Sequence, residues 1–421
     1  MQVMLSEQAP LVDAAFLANP YPAYQALREA GPIHWSEEFF GGAWLLTRHA
    51  DVEQVLRDPR FSAARTGGWV TECEAQPGEL SAFQKLFSRA MLFVDAPDHT
   101  RIRKVLNAGF RPEALQALLP HMEQVVTQLL DAVQDAPTFD FMQAVARPLP
   151  MQVIAKMLGI EAAQHADFAL WSDDLATFIG APTPTHAQAR RAQASLLAMA
   201  RYFETLAAQR RDAPGDDLLG RLLQAEAAGE IHGSAELLAQ CAMLLFAGQE
   251  TTLNLLCNGL HALLSHPAQW QRLSQAPELL PSAVRELLRY DSPVQYTGRR
   301  VAADMVLHGQ HLKRGDLVVP LIGSANRDPE RHPQPDVLDI EHRDGGSISF
   351  GSGPHVCIGA LLTRMEAEVV FKHVLQRMPH MQLADAPAQW SANPAYRGLE
   401  QLQVVLPNIA VVSGAGRIGF G

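Results

Sequence analysis

Phe350-Gly351-Ser352-Gly353-Pro354-His355-Val356-Cys357-Ile358-Gly359 sets a single cysteine in a glycine-rich loop, and the helix-forming run Ala360-Leu361-Leu362-Thr363-Arg364-Met365-Glu366 follows it. Glycine turns through φ > 0 and lets the backbone approach something bulky. A helix beginning just after the cysteine directs its N-terminal dipole and free N–H groups at the sulfur, which favours the anion. The arrangement suits a thiolate bonded to a metal-containing group.

A second element stands out upstream. Helix formers run from Ala235 to about His266, roughly 30 residues or about 45 Å at the rise of an α-helix, the width of a whole domain. Such a helix crosses the interior. Its middle, Ala247-Gly248-Gln249-Glu250-Thr251-Thr252, is not ordinary core. Glycine there costs about 1 kcal/mol relative to alanine, and threonine can bond back to the i−4 carbonyl and bend the helix. A locally opened helix carrying a carboxylate and a hydroxyl can hold water and pass protons.

The bulk numbers narrow the class. With 421 residues and 48% hydrophobic composition the chain can bury a large core. Its net charge of -11 argues against a nucleic-acid partner. Cys73, Cys241, Cys257 and Cys357 fit neither a disulfide framework nor a zinc pattern, which points to a reducing cytoplasm. The N-terminus shows no basic, then apolar, leader. The apolar run Cys241 to Gly248 is too short to span a bilayer, so the expectation is a soluble protein that does not use a membrane.

Along the chain, a helix is expected at Pro22–Glu29, strands at Ile33–Trp35 and Ala43–Thr47 around a Gly41-Gly42 turn, and a helix at Asp51–Arg57. Residues 61–90 read as irregular. From about 98 to 290 the pattern is almost wholly helical, with breaks at prolines. Short strands are expected at Arg300–Val301, Met305–His308 and Leu317–Leu321, and extended chain from about 390. The fold class is therefore mainly α with small β-sheets (α+β). One domain spans 1–407, β-rich at about 20–60 and 295–407 and helical at about 98–290. Residues 408–421 read as a disordered tail or an expression remnant. Their Gly414-Ala415-Gly416-Arg417-Ile418-Gly419 matches a dinucleotide fingerprint in letters, but no helix or second strand follows it.

These motifs together resemble the cytochrome P-450 superfamily. FGSGPHVCIG is similar to its haem-binding loop and AGQETT to its oxygen-activation motif. Glu286-Leu287-Leu288-Arg289 resembles its E-x-x-R motif, and His99-Thr100-Arg101-Ile102-Arg103 the H-x-x-x-R segment of soluble bacterial members. Thr297-Gly298-Arg299 and Arg397-Gly398-Leu399 also fall in place, so the resemblance runs from about residue 14 to 407.

The resemblance implies a prism-shaped fold that holds haem b (iron protoporphyrin IX) between the long helix and the cysteine-loop helix. Cys357 would be the thiolate ligand, which favours O–O cleavage. The other cysteines keep the usual role of small buried hydrophobes. His99, Arg103, Arg299 and His355 would meet the propionates, while Phe350, Gly351, Gly359, Ala247 and Gly248 would lie against the haem. Thr251 would hydrogen-bond dioxygen or its water, and Glu250 would help deliver protons from solvent. Glu286 and Arg289 share a helix face and would brace the loop with a third cation. Family members often read F-D-I-x-R at that point; this chain has Leu338-Asp339-Ile340-Glu341-His342-Arg343, which leaves His342 and Arg343 as alternatives. Phe93, Phe178, Leu244, Val294 and Tyr396 are the expected substrate-pocket residues. Arg65 could meet an acidic substrate, but a solvated charge is the better reading.

The implied activity is monooxygenation of a small apolar molecule, free or carrier-bound, most simply by C–H hydroxylation in secondary metabolism. No flavin or iron–sulfur domain is legible, so a separate ferredoxin or flavodoxin with its NAD(P)H reductase is implied. Arg101, Lys104, Arg111, Arg364 and Lys372 are the candidate docking cations. Two rivals are a peroxide-driven haem-thiolate enzyme and a non-catalytic haem-binding accessory protein. Neither has need of Glu250 and Thr251.

Overall fold

The computed structural model describes residues 11–66, 70, 72–342 and 346–407. Helices dominate, and the helix Ser234–Ser265 runs through the middle. It packs against Pro148–Leu158, His165–Gly180, His186–Arg210, Leu280–Tyr290 and Ala360–Arg377. Its side chains are buried all round from Leu237 to Phe246 and again from Thr252 to Leu260. This explains its poor amphipathicity: a helix enclosed on every side has no polar face to show. Each fully buried leucine on it, such as Leu245, Leu255 or Leu260, stabilises by about 2 kcal/mol.

Among the described residues the strands are β1 (Ile33–Ser36), β2 (Ala43–Leu46), β3 (Phe61–Ser62), β4 (Thr138–Asp140), β5 (Arg299–Val301), β6 (Met305–Leu307), β7 (Gln310–Leu312), β8 (Leu317–Pro320), β9 (Gln382–Leu383) and β10 (Gln403–Val405). They form a five-stranded sheet ordered β1-β2-β8-β5-β3, a three-stranded sheet β4-β10-β9 and the hairpin β6-β7. β2 and β8 pair in parallel, Ala43 opposite Leu317, and β5 runs antiparallel to β8 with Arg299 opposite Val318. That register fixes where the arginine enters the interior.

The α+β class and the expected strands of the large sheet are present, with shifts of a residue or two at the ends. Two local readings differ. The helix Ser81–Phe87 lies inside the stretch read as irregular; Phe83, Leu86 and Phe87 supply its helical apolar spacing. β4 lies inside the stretch read as helical, because Phe139 pairs with Val404 from the far end of the chain. No local pattern announces such a partner. Residues 408–421, including the glycine fingerprint, lie outside the described residues. No described helix is long and apolar enough to cross a membrane.

Candidate active site

The cysteine loop is built by its own backbone. Gly351 and Gly353 both adopt φ +73°. A Cβ at Gly353 would come within 2.8 Å of the Leu56 carbonyl oxygen and the Arg57 Cα, so conformation and space both demand glycine. Gly351 N–H donates to Ile348 O and Cys357 N–H to Phe350 O, each at 2.8 Å, which holds the cysteine at the mouth of the helix Ala360–Arg377. The Cys357 side chain opens onto a cavity, yet protein encloses it on nearly every other side. Burial pushes its thiol up. The N–H groups of Gly359 and Ala360 and the charge of Arg103 work in the opposite sense, toward the thiolate.

Across the cavity stands one stripe of the long helix: Gln240, Met243, Leu244, Ala247 and Thr251. Ala247 is exposed in the middle of an otherwise buried helix, and what it is exposed to is this cavity. The helix continues unbroken through Gly248, whereas the sequence suggests a local opening. Thr251 Oγ1 donates to Ala247 O at 3.0 Å within the turn. Beside it Glu250 accepts from Asn254 Nδ2 at 3.1 Å. Burial, with the nearby Asp173 carboxylate, pushes the Glu250 carboxyl up to about 7; Asn254 and Arg147 hold it down less strongly. Thr252 faces away from the cavity and meets Glu366 Oε2 at 3.4 Å, a buried acid whose pKa burial raises to about 8.

His355 and Arg103 border one end of the cavity, while His99 and Arg299 are buried near His355 and outside the lining. The rings of His99 and His355 lie 4.0 Å apart. Arg103 donates to Pro354 O at 3.1 Å and Arg299 to Gly298 O at 2.8 Å. Arg300 borders the cavity and donates to Gly315 O, whereas Arg299 is the arginine whose charge reaches both histidines. Burial and the charges of His99 and Arg299 drive the His355 pKa down to about 3. His99 Nε2 is buried without a hydrogen-bond partner. Among the described residues neither Arg103 nor Arg299 forms an ion pair. Two arginines with no acid in an ion pair, beside a buried ring nitrogen without a partner, are costly by themselves. They fit a flat group that brings its own carboxylates. The cavity, with the open solvent at its mouth included, is about 1520 Å³. The donor set therefore fits haem: Cys357 would be its sulfur ligand, the arginines and histidines would meet its carboxylates, and Ala247 leaves room on the long helix.

Leu244, Val294 and Tyr396 line the cavity as expected, joined by Phe40, Met243 and Ile179. Phe93 and Phe178 stand behind the wall. Phe178 packs edge-on against Phe83 at 5.1 Å and Phe93 against Phe87 at 4.4 Å; large aromatics fill the layer behind a pocket as readily as its surface. Arg65 is not solvated. It lies in the cavity wall with its guanidinium 4.8 Å from the Phe93 ring centre. Gln240 and Met243 were legible as the same helix face as Leu244, Ala247 and Thr251, at i, i+3, i+4, i+7 and i+11. Phe40 carried no such signal, since it arrives from the turn between β1 and β2.

Glu286 and Arg289 form a bidentate pair at 2.6 and 2.7 Å, both nearly fully buried. Arg289 spends its remaining donors on the carbonyls of Asn326, Pro335 and Val337. Glu286 also takes the Asp339 N–H at 3.1 Å. A backbone amide thus meets the acid, while His342 borders the adjoining cavity with its Nε2 unpartnered. Arg343 lies outside the described residues.

Among the docking cations, Arg101 is a buttress rather than a free charge. It binds both Glu236 oxygens at 2.7 Å and Asp98 at 2.8 Å. Lys372 is paired to Glu123 at 2.6 Å and Arg364 bonds Ala360 O. Lys104, largely exposed and loosely paired with Glu230, and exposed Arg111 remain available.

Comparison with known proteins agrees with this geometry. The Cytochrome P450 family profile matches residues 150–384. The chain is 37% identical over 398 residues to Cytochrome P450 107B1 of Saccharopolyspora erythraea, covering 93% of this chain and 96% of that protein. The solved structure of the bacillaene polyketide synthase cytochrome P450 PksS of Bacillus subtilis 168 superposes with TM-score 0.84 at 35% identity, covering 95% of this chain and all of that one. P450BioI, solved in complex with hexadec-9Z-enoic acid ligated acyl carrier protein, superposes with TM-score 0.87 at 31% identity over 93% of this chain and all of that one. Likeness of this extent, from sequence to backbone, means that the chain belongs to the cytochrome P450 family: it is a haem b monooxygenase, an oxidoreductase.

Proposed function

We propose that this protein inserts one oxygen atom from O₂ into an apolar small molecule of secondary metabolism, by C–H hydroxylation, with electrons from a separate ferredoxin or flavodoxin and its NAD(P)H reductase. One observation carries the reading: Cys357 and Thr251 border the same cavity, and the wall beyond them is aliphatic and aromatic. When bound, haem b supplies thiolate-assisted O–O cleavage. The chain's own residues do the rest. Cys357 anchors the group, and His99, Arg103, Arg299 and His355 receive its propionates. Leu244, Met243, Val294 and Tyr396 orient an apolar substrate and exclude water. Glu250, with a carboxyl near pKa 7, can hold or give a proton at neutral pH, and the Thr251 hydroxyl, which borders the cavity one residue on, would pass it inward.

Relatives support the substrate class. One is named a polyketide biosynthesis enzyme and another is solved with a fatty acid on its carrier protein. A free or carrier-borne acyl or polyketide chain suits the same apolar wall. Four cysteines that form no disulfide suit a reducing compartment such as the cytoplasm. The test is reconstitution with ferredoxin, its reductase and NAD(P)H, against peroxide alone, over a panel chosen by haem spin-state shift. Substrate-dependent NAD(P)H consumption with label from isotopic O₂ in the product is expected. Turnover with peroxide only, or no turnover with any spin-shifting ligand, would sink the reading.

A further inference from the structure

We infer that Arg65 is a carboxylate-binding residue of the cavity, set between the cation cluster and the apolar substrate wall. This rests on the haem-thiolate reading of that cavity. Arg65 reaches the wall from the segment after β3, with its guanidinium over the Phe93 ring. Of its five N–H donors, one set is engaged: Nη1 donates to Gly298 O at 3.2 Å. Among the described residues no acid pairs with it. Asp95, the acid nearest Arg299, is already engaged by the Ser62 hydroxyl and the Ala63 N–H. Glu72 borders the same cavity but makes no ion pair with Arg65.

The surroundings make this placement informative. Burial is the main cause that lowers the Arg65 pKa to about 9, with the charge of Arg299 adding to it, and burial lowers that of Arg299 to about 10. A free guanidinium could relieve this by turning to solvent. Arg65 instead stays on Phe93, where stacking favours it, and against Gly298, where a Cβ would press on its Cδ at 3.0 Å. Its planar fork matches a carboxylate in two-point contact. Two sources can present that carboxylate here: a haem propionate on the side of His355, or an acidic substrate lying along Tyr396; both of these side chains feel the charge of Arg65.

Arg65→Gln and Arg65→Lys in the haem-loaded protein separate the sources. One arm is spin-state titration with tetradecanoic acid and with tetradecanol. The other is the rate of haem transfer to apomyoglobin. A wild-type preference for the acid that falls at least tenfold in Arg65→Gln assigns the substrate carboxylate. Equal binding of acid and alcohol, with haem lost at least fivefold faster from Arg65→Gln, assigns the propionate. If Arg65→Gln changes neither, the inference is wrong. Should the glutamine variant fail to fold, Arg65→Lys decides: unaltered acid preference and haem retention without the fork overturn it. The reduced carbon-monoxide spectrum of the wild type is read alongside. Absence of a thiolate-type Soret band there would defeat the haem-thiolate reading and not the role of Arg65.

Discussion

Glu250 and Asn254 stand one helical turn apart, and the Asn254 amide donates to the Glu250 carboxyl at 3.1 Å. That single bond does not offset burial, so the carboxyl titrates near 7 rather than near its ordinary 4.5. The folded state therefore holds this proton more tightly than the unfolded chain. Stability from it is complete below about pH 4.5 and is lost as pH rises to about 7, with a ceiling of about 3 kcal/mol. Glu250→Gln should gain on the wild type over that window in thermal melts, then run parallel above it. It should also slow product formation by about a hundredfold with the haem spectrum unchanged. A flat stability difference from pH 5 to 8 would count against the raised pKa.

Thr251 bonds Ala247 O but is not needed to hold the helix, which packs on all other faces. Thr251→Ala is expected to change stability by less than about 1 kcal/mol. Haem and substrate binding should persist, while reducing equivalents appear as peroxide. Comparing NAD(P)H consumed, product and peroxide checks this; full coupling would remove the proton role.

Removing Arg289 leaves the Glu286 carboxylate buried and three carbonyls without donors. Arg289→Leu should cost about 3–5 kcal/mol and lose haem on purification. Arg289→Lys keeps the charge but not the fork, so it should recover only part of the loss. Denaturant unfolding with a Soret readout measures both.

Arg101→Ala breaks the bidentate contact with Glu236, and a loss of about 1–3 kcal/mol is expected. Slower reduction in that variant would therefore not report docking. Reversing Lys104 and Arg111 tests the surface instead: at low salt the ferredoxin-supported reduction rate should drop several-fold with stability unchanged, and the difference should fade as salt rises.

Cys357→Ala should abolish the red-shifted Soret band of the reduced carbon-monoxide complex while leaving far-ultraviolet circular dichroism intact, because the loop is held by Gly351 and Phe350 backbone bonds rather than by sulfur. A retained band would mean another ligand.

Much of the site is legible from residues close in the chain. Cys357 is marked by glycines a few positions away, Thr251 by the turn that holds Glu250, and Glu286 and Arg289 by a single helical turn. Gln240 and Met243 share the periodicity of Thr251 and could have been read with it. Phe40 and Arg65 arrive from a hairpin and a segment after β3, so no local pattern shows which face of the cavity they join, whereas Tyr396, from a late turn, is expected there through the family resemblance. Phe93 and Phe178 show the reverse: aromatic and well placed in order, they form the layer behind the wall.

By itself, then, the sequence marked the helical class, the glycine-flanked cysteine loop and the acid–threonine turn, because each depends on contacts within a few residues. Tertiary structure decided that Arg65 lies in the cavity wall, that Arg101 is held by Glu236, and that Glu286 takes the Asp339 amide. In each case the deciding partner lies far along the chain. Burial and pairing between such distant segments arise only when the fold closes around them.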